Sequence, residues 1–144
     1  MNNDSGNLLP VIDNKTIDKL ITILEQLKAA PSDSIDLAKL QQTEDKLEDI
    51  LLTLQFELKL AKDKSNWDLV NKLRPAVQEC KYTIDSIRAA IINKIVIGVN
   101  SENIQEMEKI LDNINQARQT QLEINAVIGL FGFLRRLLSG RILL

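Results

Sequence analysis

The residues best able to do chemistry in this chain are carboxylates and amines at helical spacing. Glu44 with Glu48, and Asp45 with Asp49, stand one helical turn apart, and oxygens so placed could bracket a hard cation. Such a cation wants several converging oxygens, whereas these four share a polar stripe that points them at water, so no metal and no cofactor is expected. Five bases, Lys59, Lys62, Lys64, Lys72 and Arg74, against Asp63 and Asp68, give +3 between residues 59 and 74. That corner could meet an acidic partner, although cations at the end of a helix also complement its negative pole.

Histidine is absent, which removes the usual general base, the commonest metal ligand and the Glu-x-x-His unit of di-metal bundles. Gly129-x-x-Gly132 has the spacing of a phosphate-clamping loop but lies in an apolar run, where close helix packing is the expected use. The five glycines, at 6, 98, 129, 132 and 140, form no phosphate-cradling loop. No catalytic residue is assigned, and neither a small-molecule substrate nor an enzymatic role is expected. A net charge of -2 offers no general field for nucleic acid.

These residues must be positioned by helices. The 144 residues suit one domain; 44% are hydrophobic, mostly Leu and Ile, and only 3% aromatic. With no run alternating at period two, the expectation is an all-α, single-domain, elongated antiparallel helical bundle, with one short N-terminal helix followed by three long ones. Residues 1–13 are expected to form a flexible, Asn-rich arm, and residues 14–144 the bundle. No stretch reaches the roughly 20 apolar residues that span a bilayer, and the first residues lack a signal-peptide pattern. A cytoplasmic protein, or one peripheral to a membrane, is therefore expected.

Ile17, Leu20, Ile21, Leu24 and Leu27 recur at three and four, predicting a first helix from about 14 to 30 that Asp13 or Asn14 caps and Pro31 stops. Ser32 to Ser34 offer a new cap, after which Leu40, Leu47, Leu54 and Ala61 fall seven apart, with Ile50, Leu51 and Leu58 beside them. After the break at 63–66, Ser65 and Asp68 resemble a capping box; Trp67 could serve as an anchor, and packing over the helix start is the expected use. The next seam is Val70, Leu73, Val77, Cys80, Ile84, Ile87, Ile91 and Ile95, the most regular in the chain. Its phase runs through Pro75, which predicts a kink rather than a break. The lone Cys80 lies on that seam and is expected to be a small buried residue. Gly98 is expected to end this helix and Asn100 or Ser101 to cap a third long helix, whose seam of Met107, Ile110, Ile114, Ala117, Ile124 and Ile128 is interrupted by Gln121.

The end of the chain carries the sharpest functional expectation. Residues 124–144 hold three Arg and no acid, leaving -5 on residues 1–123. Asn125, Gly129, Gly132, Arg136 and Ser139 form one narrow small-and-polar stripe, and apolar residues cover the remaining circumference, more than a helix facing one core needs. Three destinations compete for them: the bundle's own core, another protein or a second copy of this chain, and an anionic membrane surface. Protein contact is expected, through Val127, Ile128, Leu130, Phe131, Phe133, Leu134, Arg135, Arg136, Leu137, Leu138 and Arg141. The alternative is a membrane-associating protein that uses the same segment.

Overall fold

The computed structural model describes residues 14–28, 34–94, 97–119 and 124–139. Five helices hold 90% of these residues and pack against each other, giving an all-α fold. They are α1 (Asn14–Lys28), α2 (Leu37–Asp63), α3 (Trp67–Ile92), α4 (Ser101–Gln119) and α5 (Ile124–Ser139). Two short extended pieces, β1 (Ser34–Ile35) and β2 (Ile97–Gly98), pair antiparallel with Ile35 opposite Ile97. Both of these isoleucines are buried. The pair therefore closes one end of the α2–α3 hairpin and adds to the core. The expected arm at 1–13, with Asp13, and Pro31, Ile95 and Gln121 lie outside the described residues.

The two long helices follow from their seams. Leu40, Leu47, Leu54 and Ala61 of α2, and Val70, Leu73, Val77, Cys80, Ile84 and Ile87 of α3, are all buried. A three-residue turn at 64–66 makes the helices antiparallel neighbours, and the Cys80 thiol meets the Leu47 carbonyl across them at 3.5 Å. Helix α2, 27 residues long, measures about 40 Å at 1.5 Å per residue. Helix α3 runs unbroken through the exposed Pro75, as its apolar phase predicts.

Four local expectations are corrected. Asn66, not Ser65, caps α3, its side chain accepting from Leu69 N at 3.3 Å. Ser65 lies at φ 55 and belongs to the close of α2: its N–H donates to the Lys62 carbonyl, and the Asn66 N–H to that of Ala61. This is the paired-bond helix ending, whose left-handed residue cannot also be an extended N-cap. Likewise Asp36, rather than Ser32 to Ser34, caps α2 by accepting from Lys39 N at 2.9 Å. At the far end of α3 the left-handed residue is Lys94, at φ 52, while Gly98 sits in β2. Asn100 does cap α4, in a reciprocal pair of bonds with Asn103 of 2.8 and 3.0 Å.

The fourth correction concerns the last third of the chain. In place of one long helix there are two, α4 and α5, packed against each other. Arg136 pairs with Glu106, 30 residues away in sequence. In a straight helix that separation would be about 45 Å, so the chain must fold back. The packing order runs from α1 to α2, α3, α5 and α4, with α4 returning to α1. Helix α3 is thus covered on two sides. Its second buried face is the heptad of small residues Ala76, Thr83 and Ala90, against which α5 lies.

Candidate functional site

The apolar residues expected to form a contact surface at the end of the chain are in the core. Val127, Leu130, Phe131, Phe133, Leu134, Leu137 and Leu138 are buried, and Ile128 is half-buried. Of the three destinations the chain's own interior takes them, because α5 fills the space between α3 and α4 and has two helices to satisfy. Its wide apolar arc is that of a helix packed on more than one side. The expectation of an exposed apolar tail is therefore corrected.

The arginines are tied to the bundle as well. Arg135 pairs with Glu79 of α3 at 3.0 Å and lies over the Tyr82 ring, 5.6 Å from its centre. Arg136 pairs with Glu106 of α4. Arg141 lies outside the described residues. The glycine stripe is corrected too. Gly129 is exposed, with nothing among the described residues within 4 Å of where a Cβ would stand, and Gly132 would meet, among them, only the Arg136 side chain at 3.8 Å, so neither serves close packing between the described helices.

The unpartnered surface lies instead on the outer face of the α2–α3 hairpin. On α2, Leu37, Glu44, Glu48 and Leu52 follow one another at seven and four residues, and Phe56 stands one turn further on. On α3, Trp67, Arg74, Lys81 and Arg88 recur at seven, and Ile92 follows Arg88 by four. Side chains of the two helices meet there. Arg88 donates through Nε to Glu44 Oε2 at 2.6 Å and through its terminal nitrogen to Glu48 Oε2. A groove of about 620 Å³ runs beside them, lined by Leu51, Leu52, Lys81, Ile84 and Asp85 among others.

Five large apolar side chains stand in water on or at the edge of this face: Leu37, Leu52 (65% exposed), Phe56 (59%), Trp67 (56%) and Ile92 (77%). Trp67 is thus not packed over the helix start. Tyr82, the remaining exposed large apolar side chain among the described residues, lies under Arg135 on the side of α5. Sequence reasoning missed this face although a signal was present. Leu52 and Phe56 fall out of phase with the seam of Leu40, Leu47 and Leu54, on the stripe of Asp45 and Asp49, where water-facing residues belong.

The arrangement holds little reactive chemistry. Glu44 and Glu48, the first carboxylate pair singled out for a cation, clamp the Arg88 guanidinium, which raises its pKa above the usual arginine value. No group of three or more cysteine or acidic side chains that could hold a metal occurs among the described residues. Cys80 is buried, and loss of solvent pushes its thiol up to about 12, so it is an inert core residue and not a nucleophile. No described helix is long and apolar enough to cross a membrane. No family model matches the chain, and neither the curated proteins nor the solved structures compared with it include a match.

Proposed function

We propose that this chain is a non-enzymatic helical bundle that acts through protein contact, and that its contact surface is the outer face of the α2–α3 hairpin. The observation that carries this reading is Leu52, 65% exposed on the side of α2 turned away from its buried seam, with Phe56 one turn on. Leaving two large apolar side chains in water forgoes about 1.5 to 3 kcal/mol each, a cost that a covering partner recovers. The groove beside them has a mixed lining, with Leu51, Leu52 and Ile84 among Glu48, Asp49, Lys81, Asp85 and Arg88, and protein interfaces combine apolar and charged residues in this way.

The test uses the full chain as bait in a lysate of its source cells. The reading expects a captured protein that is lost with Leu52→Asp and retained with Gly129→Ser, a substitution on the exposed stripe of α5. Capture that ignores Leu52→Asp overturns it.

A second reading rests on Trp67, exposed beside Lys62 and Lys64 at the tip of the hairpin. An indole among lysines suits the headgroup region of an anionic membrane. Trp67 is the single tryptophan, so a blue shift of its emission on adding anionic vesicles, absent with neutral ones, is the expected signal. An unchanged spectrum excludes this second reading.

A further inference from the structure

We infer that the hairpin face takes a negatively charged amphipathic helix of another protein, seated on the half of the face nearest the α2–α3 turn. The inference rests on the contact surface proposed above and adds the chemistry of its occupant. On α2 the exposed Leu52 and Lys59 fall seven apart, with Phe56 between them and Lys62 three residues on. Phe56 and Arg74 each stand nine residues from Ser65 in the turn, so the antiparallel helices set them at one level. Lys81, one heptad beyond Arg74, lines the same groove as Leu52.

Leu52 and Phe56 are thus framed by bases from both helices, Lys59 and Lys62 of α2 and Arg74 and Lys81 of α3, all exposed. None of the four takes part in an ion pair among the described residues, whereas Glu44 and Glu48 hold Arg88, Asp49 holds Lys19 and Glu79 holds Arg135. Of the other acids between residues 52 and 81, Glu57 lies seven from the buried Ile50 and Asp68 eleven from Glu79, which faces α5. Asp63 shares the face, at its tip. The negative pole of α2 accounts for Lys62, the base in its last turn. It does not account for Arg74 and Lys81, which stand seven and fourteen residues after Trp67, the first residue of α3, away from either helix end.

Two large apolar side chains in water call for apolar cover, and the bases around them call for carboxylates. The main-chain groups of α2 and α3 are bonded within the helices, so this face offers no strand edge, and the groove between two helices suits the ridge of a third. From Leu52 to Lys62 is ten residues, or about 15 Å. A partner helix of about three turns, with carboxylates beside its apolar stripe, matches that length. A flat anionic bilayer laid along the same face would also meet Asp45, Asp49 and Asp85, all exposed farther from the turn, whereas a short helix stays clear of them.

The probe is a synthetic peptide of about four helical turns, with leucines on one stripe and glutamates beside them; a control carries lysine in place of each glutamate. Binding to the full chain is read from the anisotropy of a dye on the peptide, at low and at high salt. Circular dichroism verifies that each protein variant is folded. The glutamate peptide is expected to bind about tenfold tighter than the lysine peptide, or better, and to weaken as salt rises. Lys59→Glu combined with Arg74→Glu is expected to reverse that preference, and Gly129→Ser to leave it unchanged. A lysine peptide that binds as tightly, or a glutamate peptide that fails to bind, overturns the inference, as does binding indifferent to the two reversals. Equal binding by a peptide with serine at every leucine overturns it too, since charge alone would then suffice. A chain that ignores both peptides yet captures a protein through Leu52 overturns the acidic occupant and leaves the proposed contact surface standing. Trp67 emission that shifts blue on anionic vesicles, in a chain that ignores the glutamate peptide, overturns the inference in favour of a lipid surface.

Discussion

Thr83 of α3 reaches the main-chain carbonyl of Phe131 in α5, 48 residues away, at 3.3 Å, and the same hydroxyl lies 2.7 Å from the Glu79 carbonyl one turn back. It is wholly buried, with Ala76 and Ala90 seven residues to either side, also buried. Small residues at heptad spacing let two helix backbones approach closely, so the contact fixes the separation of α3 and α5. Thr83→Val keeps the shape and is expected to cost about 1 kcal/mol for the lost hydrogen bond. Thr83→Leu also wedges the helices apart, adding about 1 to 3 kcal/mol. Urea unfolding of the two variants gives the comparison, and equal stabilities would show that the spacing is not held tightly.

Phe131 and Phe56 are the same residue type with opposite consequences. Phe131 is completely buried and Phe56 is 59% exposed. Phe131→Ala is expected to cost about 3 to 5 kcal/mol, since it leaves a cavity between α5 and its neighbours. Phe56→Ala should move stability by no more than about 0.5 kcal/mol. Cutting the chain before α5 removes eight buried side chains, counting Ile124, and should abolish cooperative unfolding. A chain truncated after residue 123 that melts sharply would mean that α5 is an appendage and not core.

The helical class and most of the core were legible because seams at three and four residues state which face goes inward. Of the seam residues named from the sequence whose side chains are described, all are buried except Ile21, Leu51, Leu58, Ile91, Ile110 and Ile128, which are partly so. What periodicity does not state is how many neighbours a helix has. The wide apolar arc of α5 is equally the mark of a sticky surface and of a helix packed on several sides. The signal that decides between them lay on another element, in the heptad Ala76, Thr83, Ala90 of α3, a second inward face that needed a partner. The fold-back between α4 and α5 was hidden for a related reason, since both halves keep one helical phase in the sequence and Gln121 offers only an interruption.

Gly129 separates two uses of a helical glycine. Close packing would make any added atom costly, whereas an open site makes glycine a weak point because it loses more backbone freedom on folding than alanine does. A Cβ here would meet nothing among the described residues within 4 Å. Gly129→Ala is therefore expected to stabilise the protein by about 0.5 to 1 kcal/mol, read as a higher denaturant midpoint at unchanged slope. A loss of stability would mean that another surface approaches α5 there.

Cys80 ties stability to pH on the alkaline side. In the folded chain its thiol, buried on the α2–α3 seam and set against the Leu47 carbonyl, is pushed from 9.0 to about 12 because burial disfavours the thiolate. The unfolded chain gives up this proton near pH 9 and the folded chain does not, so between the two values the unfolded state holds fewer protons. Stability tied to the buried thiol is thus fully present below pH 9 and is lost as pH rises toward 12, at up to about 1.4 kcal/mol per pH unit. Cys80→Ala removes the group that titrates, at a modest cost in packing at neutral pH. Urea midpoints measured from pH 8 to 11 should therefore fall more steeply for the unmodified chain than for the variant. A thiol reagent should label native Cys80 only at the rate of unfolding. Parallel pH profiles for the two proteins, or rapid labelling of the folded chain, would place this thiol in contact with water and contradict its burial on the seam.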